Sequence, residues 1–387
     1  MAGDTLGFDV PARIGMALDD VATPALIVDL DAFERNVARM RREAERMGVA
    51  LRAHAKTHKS ADIARYQMQA GGAVGVCCQK VSEAEALVRA GITDILIANE
   101  VTDPLRINRL VALSKTATIR VCVDDAGVAD ALSAAASKAG IRLDVLVEID
   151  CGAGRCGVAP GEPAVALARH VASLAHLAFA GLQAYHGSAQ HIAGFAERRA
   201  AVEASTKLTA DTVAALAAAG LAAPIVTGAG TGTFPFEGTS GVYTELQCGS
   251  YVFMDVDYGR IEGEDGAGLG FENALFVLAS VISHPTPTRA VCDAGLKALA
   301  VDSGPPKVHG GPVAGATDWA NRGVSYAAAS DEHGTLDDPE SALAINDRLL
   351  LVPGHCDPTC NLHDWYVAVR DGRVEALWPV TARGKVF

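Results

Sequence analysis

Short apolar runs recur along the first two thirds of the chain, separated by longer stretches in which Ala, Leu and Val return every three or four positions. Runs of that kind fit buried strands, and the longer stretches fit amphipathic helices. The pattern predicts strands at 51–53, 73–77, 94–98, 118–123, 143–149, 179–184, 224–227 and 242–246. Helices are predicted between them at 34–47, 60–70, 81–90, 104–114, 126–139, 163–174 and 195–219. Gly48, Gly91, Gly140 and Gly220 each follow a helical stretch, where a left-handed cap favours glycine. Strands alternating with helices imply βαβ units and a parallel sheet. An open doubly wound sheet fits as well, but eight repeats over roughly 250 residues favour a closed (β/α)8 barrel. After Tyr258 the rhythm changes to short alternating segments at 275–282, 288–292, 348–352, 365–369 and 374–379, divided by turn clusters such as Ser303-Gly304-Pro305-Pro306. The expectation is a barrel over 26–258 and a mostly β second domain over 259–387, joined by about residues 1–25.

Composition narrows the function. Half of the 387 residues are hydrophobic and a fifth are charged, as in a core-forming globular protein. A net charge of -13 argues against a nucleic-acid partner. Met1 to Asp4 has neither a basic nor an apolar leader pattern, so no secretory signal is expected. The longest uncharged run, 212–236, is Ala- and Gly-rich and is broken by Gly220 and Pro224, which excludes a membrane span there. Nine scattered cysteines without paired C-x-x-C modules suit a reducing compartment, and the cytoplasm is expected.

Candidate chemistry falls at strand exits, where barrels place it. Arg52-Ala53-His54-Ala55-Lys56-Thr57-His58-Lys59 leaves the first strand. A lysine there can be shifted toward the free amine by burial and cationic neighbours, and a free amine can hold a carbonyl as a Schiff base. Lys56 sits at the strand end, and Lys59 lies one turn further on. Asp150-Cys151-Gly152-Ala153-Gly154-Arg155 supplies a Gly-rich approach and a fixed cation. Tyr185-His186-Gly187-Ser188-Ala189-Gln190-His191 gathers several proton donors and acceptors. Gly228-Ala229-Gly230-Thr231-Gly232-Thr233 and Cys248-Gly249-Ser250-Tyr251 follow strands seven and eight, the usual place for an anion nest. His355-Cys356-Asp357, read as extended, would turn His and Asp to one side as a divalent-metal pair, with Cys356 pointing away.

Together these motifs resemble fold type III pyridoxal-phosphate enzymes of the D-threonine aldolase and D-serine dehydratase family, with an alanine racemase-like layout. The likeness spans R-x-H-A-K-T-H-K, D-x-G-x-G-R-C-G, Y-H-G-S-A-Q-H, G-x-G-T-G-T, C-G-S-Y-V-F and H-C-D-P-T, in order along nearly the whole chain. Ala53 stands where many relatives carry proline. Dehydratase members typically present His-x-Cys and aldolase members His-x-Asp, so Asp357 places the likeness with the aldolases, and overall with their D-3-hydroxyaspartate (β-hydroxyaspartate) subgroup.

The resemblance implies the roles. Lys56 carries pyridoxal 5'-phosphate, Arg155 meets its phenolate oxygen and Tyr185 lines its ring. Thr231, Gly232, Thr233, Gly249, Ser250 and Tyr251 hold the phosphate. Gln247 stands where racemases place an arginine, so a neutral group would face the ring nitrogen and leave it weakly protonated or unprotonated. His355 and Asp357 hold a divalent metal, magnesium or manganese ahead of zinc, and His191 is the base. The implied reaction splits a 3-hydroxy-D-amino acid, with 3-hydroxyaspartate giving glycine and glyoxylate, in a homodimer. The second carboxylate of that substrate needs a cation, and Arg52, Arg322 and His333 are candidates. Alternatives are a D-threonine aldolase of broad aldehyde range, a D-serine or 3-hydroxyaspartate dehydratase, a racemase (which leaves the metal pair unexplained), and a non-catalytic pyridoxal-phosphate carrier. The carriers lack the second domain that this chain has.

Overall fold

The computed structural model describes residues 4–310 and 316–387. Met1 to Gly3, part of the start read above as leaderless, and residues 311–315 of the second domain lie outside the described residues.

The first strand, β1 (Ala25–Asp29), is apolar on both faces and ends in Asp29, whose carboxylate accepts from the N–H groups of Asp31 and Ala32. That cap starts the helix Leu30–Met47, which Gly48 ends at φ 70°. Eight parallel strands then close a barrel: β2 (Ala50–His54), β3 (Gly75–Cys78), β4 (Asp94–Glu100), β5 (Thr118–Val123), β6 (Leu143–Glu148), β7 (Leu177–Ala184), β8 (Ile225–Gly228) and β9 (Glu245–Leu246). Closure runs through Ala50 against Glu245 and Leu51 against Leu246. The expected barrel is the fold observed.

The remaining strands are β10 (Leu275–Thr286), β11 (Arg289–Cys292), β12 (Lys307–Val308), β13 (Ser325–Ala329), β14 (Gly334–Asp337), β15 (Arg348–Val352), β16 (Trp365–Arg370) and β17 (Arg373–Pro379). They form a mostly antiparallel sheet in the order β13-β14-β11-β10-β1-β16-β17, with β15 on β10 and β12 on β15. β1 therefore belongs to this second sheet, between β10 and β16, although it lies within the span assigned to the barrel from its periodicity. Its five apolar-rich residues suit either sheet, and distant partners decide between them.

One core runs through both domains. Phe33, Phe253 and Tyr366 are fully buried in it, and the Phe253 and Tyr366 rings lie 5.6 Å apart. Burial of each such phenylalanine contributes roughly 1.5–3 kcal/mol. Two further ties cross to the turn after β2: Ala382 N–H donates to Lys59 O at 2.8 Å, and Ala61 N–H donates to Thr381 Oγ1 at 3.1 Å.

The barrel interior is asymmetric. Cys77, Leu96, Cys122 and Leu146 form an apolar cluster. Beside it a polar column climbs from the lower rim. Asp94 Oδ1 accepts from Arg120 at 2.8 Å and from Arg52 at 2.6 Å, and Arg52 Nε donates to Glu245 Oε2 at 2.9 Å. Glu245 Oε1 accepts from Thr227 Oγ1 at 2.9 Å, and Thr227 Oγ1 accepts from Gln247 Nε2 at 2.9 Å. Arg52 is 3% exposed. Removing one partner of such a buried pair costs about 3–5 kcal/mol.

Candidate active site

The strand exits of the barrel enclose a cavity of about 280 Å³ lined by Lys56, Arg155, Tyr185, Thr231, Gln247 and Ser250, with Tyr258 from the end of the barrel span. Lys56 leaves β2 and faces it. Lys59 does not: it turns away at φ 52° to a buried ion pair with Glu83.

Lys56 Nζ donates to Asp357 Oδ2 at 2.5 Å, so the His-x-Asp segment and the lysine of one and the same chain share one site. Attraction to Asp357 outweighs burial and raises the Lys56 pKa. The cationic-neighbour shift expected from the octet is thus corrected: the dominant neighbour is a carboxylate. Burial opposes charge on Asp357, but Lys56 and His355 outweigh it and hold that carboxyl down to about 2.

The extended reading of 355–357 is also corrected. His355 caps a short helix, Cys356–Cys360, and Asp357 and Pro358 occupy its first turn, where proline forfeits no hydrogen bond. His and Asp still converge, with His355 Nε2 at 4.0 Å from Asp357 Oδ1. Among the described residues, Asp357 Oδ1 is buried without a hydrogen-bond partner. His355 Nδ1 is held by Asp302 at 2.8 Å, the carboxylate–imidazole support usual behind a metal-binding histidine. An unpartnered carboxylate oxygen and a braced imidazole nitrogen fit a hard or borderline divalent ion. Cys356 points away, donating Sγ to Met254 O at 3.2 Å.

The Gly-rich loops pack closely against the neighbouring strand exits because they lack side chains. A Cβ on Gly249 would lie 2.6 Å from Thr57 Oγ1, and one on Gly230 would lie 2.5 Å from Gln190 Oε1. Among the described residues the N–H groups of Thr231 and Gly249 find no protein acceptor and suit an anion. Gly232 and Thr233 are turned elsewhere. Gly232 N–H donates to Gln190 Oε1 at 3.0 Å, and Thr233 Oγ1 takes a hydrogen bond from Gln190 Nε2 at 2.7 Å and donates to Glu237 at 2.8 Å. The Tyr251 hydroxyl is tied to Gln67, while its N–H donates to Thr231 Oγ1 at 2.9 Å. These three residues brace the loop, and Thr231, Gly249 and Ser250 form its inner face.

Arg155 stands 5.6 Å over the Tyr185 ring at the cavity edge. Gln247 gives both amide hydrogens to the barrel, to Thr227 and to Gln183 Oε1 at 2.6 Å. His191 lies outside the cavity wall, half exposed, its ring 6.3 Å from that of Tyr258. Its Nδ1 is 2.7 Å from Asp257 Oδ2, and this bond raises the imidazole pKa against partial burial. Asp257, Asp302 and Tyr258 escaped the sequence reading as site residues, and Gln190 entered it only as a member of the 185–191 motif. Only Asp255-Val256-Asp257, two carboxylates with one spacer, offered a signal. Of the cations suggested for a second carboxylate, Arg52 is consumed in the polar column. Arg322 is exposed against Trp319, and His333 is an exposed turn residue outside the cavity.

Residues 28–257 match the family described as "Alanine racemase, N-terminal domain", and residues 274–369 match "Putative serine dehydratase domain". The chain is 52% identical over 391 residues to a 3-hydroxy-D-aspartate aldolase of Paracoccus denitrificans, covering 100% of this chain and 98% of that one. It is 48% identical to a D-threonine aldolase of an Arthrobacter species over 97% of this chain and 96% of that one. The crystal structure of D-threonine aldolase from Filomicrobium marinum superposes with a TM-score of 0.92 at 50% identity, covering 98% of this chain and 100% of that one.

Proposed function

This chain belongs to the alanine racemase-like family of pyridoxal-phosphate enzymes, in its 3-hydroxy-D-aspartate and D-threonine aldolase branch, and from that premise we propose how its residues divide the work. It is a carbon–carbon lyase that cleaves 3-hydroxy-D-amino acids to glycine and an aldehyde. Bound pyridoxal phosphate supplies the sink for the electron pair released as the Cα–Cβ bond breaks. Lys56 holds the cofactor aldehyde, Thr231, Gly249 and Ser250 receive its phosphate, and Arg155 offers a cation to its phenolate oxygen.

His355 and Asp357 hold a divalent ion, magnesium or manganese, whose chemistry is to acidify a bound hydroxyl. His191, oriented by Asp257, takes the proton from the substrate's 3-hydroxyl. The observation that carries this reading is the 2.5 Å contact between Lys56 and Asp357, which supports one site for the proposed cofactor lysine and the proposed metal pair. The substrate we propose is 3-hydroxyaspartate, with glyoxylate as the aldehyde. The assembly is a cytoplasmic homodimer, a reading supported by nine unpaired cysteines and by the exposed Phe8 (87%) and Ile14 (72%). No helix among the described residues is long and apolar enough to cross a membrane.

The test is a product analysis with pyridoxal phosphate and manganese or magnesium, using D-threonine and D-3-hydroxyaspartate in turn. Glycine is expected from both, with acetaldehyde from D-threonine and, faster, with glyoxylate from D-3-hydroxyaspartate. Ammonia with an oxo acid would instead make the chain a dehydratase.

A further inference from the structure

Arg198 lies near the start of the helix Phe195–Ala218 and is 1% exposed. A guanidinium keeps its charge, so its burial is costly unless protein groups replace the water it loses. Among the described residues no carboxylate hydrogen-bonds to it. Its partners are main-chain oxygens: Nη1 donates to Ile192 O at 2.8 Å and to Ala193 O at 2.7 Å, and Nη2 donates to Glu262 O. The guanidinium carbon lies 5.8 Å from the ring centroids of both Phe195 and Phe236. The three oxygens belong to the two segments that bring His191 and Asp257 together. Ile192 and Ala193 directly follow His191, and Glu262 lies just beyond Asp257. Ala193 O also accepts from Glu262 N–H at 3.0 Å, so one carbonyl joins both segments. Asp257 is anchored from its other side, its N–H donating to Gly354 O at 3.2 Å. Among the described residues the His191 ring hydrogen-bonds only to Asp257, at 2.7 Å.

We propose that Arg198 is a positioning residue for the proton transfer: its fork ties the loop after His191 to the segment after Asp257 and so holds the imidazole against its carboxylate. This rests on the reading of His191 as the base given above. A planar guanidinium presents donors in fixed directions and can bind oxygens of two segments at once. An ammonium at the same place keeps the charge but lacks that fork, and an apolar chain of similar length fills the space between the phenylalanine rings without holding either segment.

Nuclear magnetic resonance of histidine-labelled, cofactor-free protein reads the joint without turnover. The His191 resonance, identified by its loss in His191→Ala, should titrate above the usual histidine value because Asp257 holds the proton. Arg260, Asp255 and Tyr258 are the other groups facing the ring. In Arg198→Met the midpoint should fall back toward the usual value, and in Arg198→Lys it should fall by a smaller step. A plain charge effect has the opposite sign, since removing a nearby cation would raise the midpoint. In the holoenzyme, Arg198→Met should lower kcat by roughly 10²-fold, the scale for a small misplacement of a reacting group, with KM and cofactor absorption retained. In the His191→Ala background the same substitution should cost nothing further, because Arg198 acts through that ring. A midpoint that rises or stays in the folded variants, or losses that multiply in the double variant, overturns the proposal. Arg198→Lys carries both readouts if Arg198→Met does not fold. If His191→Ala keeps full turnover, the base assignment fails, while the midpoint shift still reports the tie made by Arg198.

Discussion

On the barrel side of Lys56, Gln190 ties Gly232 to Thr233, Thr233 reaches Glu237, and Tyr251 closes on Thr231. On the second-domain side, Asp357 Oδ1 has no partner among the described residues, and Asp255, Asp257, Asp302 and Asp357 crowd around His191 and His355. The proposed cradle satisfies its own polar groups and leaves a few backbone N–H donors facing inward. The acidic corner sets its carboxylates against Lys56, His191 and His355 and still leaves Asp357 Oδ1 open to a ligand. One half is pre-organised by its own hydrogen bonds, and the other is organised by what it binds. Loss of a brace should therefore weaken the cradle gradually, whereas loss of a ligand should empty the corner.

Five variants set that contrast at risk. Lys56→Ala removes the group common to both halves. It should lower turnover by roughly 10⁴-fold or more, the scale for losing one member of a unit that acts together. The absorption of bound cofactor should vanish with it. His191→Ala should lower kcat by about 10²–10⁴-fold, as for loss of a general base, with the cofactor spectrum retained. Undiminished turnover would remove His191 from the site. A base works unprotonated, and Asp257 raises the His191 pKa, so activity should fall as pH drops through that raised value. Asp257→Asn should move this acid limb to lower pH.

Asp302→Ala leaves both proposed metal ligands in place but frees the His355 ring. Divalent-ion affinity should drop by roughly 10–100-fold, read by calorimetry or metal titration. Gln190→Ala leaves the cradle residues present but unbraced. The stability loss should be about 1–3 kcal/mol, the cost of unsatisfied buried polar groups, with metal affinity untouched. Equal damage to both halves from either of the last two variants would erase the distinction.

The barrel was legible because each strand run and each helical repeat is local. The helix at 126–139 was read residue for residue, with Asp125 as its cap and Gly140 in the left-handed region at its end. β1 was missed because its sheet is chosen by β10 and β16, far along the chain. Among site residues, Lys56 was readable as a strand exit. Gly232, Thr233 and Tyr251 carried the right residue types, yet their bonds run into the scaffold through Gln190, Glu237 and Gln67. The alternation rule failed at 355–357 because Asp357-Pro358 fits a helical first turn as well as an extended strand. Asp257 and Asp302 gain meaning only from the histidines they hold, which lie 66 and 53 residues away.

The polar column inside the barrel fixes more than stability. Glu245, charged and facing Arg52, can only accept, so the Thr227 hydroxyl must point its hydrogen downward. Its oxygen is then left to receive Gln247 Nε2, and Gln183 takes the other amide hydrogen. The Gln247 side chain cannot turn over, and what it keeps for a guest is its oxygen, met only by a long 3.4 Å contact from Gln183. A sequence of one-way bonds beginning at the floor of the barrel thus decides that the ceiling offers a lone pair and not a hydrogen. Thr227→Val would break the direction of that relay and let the amide flip, without altering any group that touches the ligand.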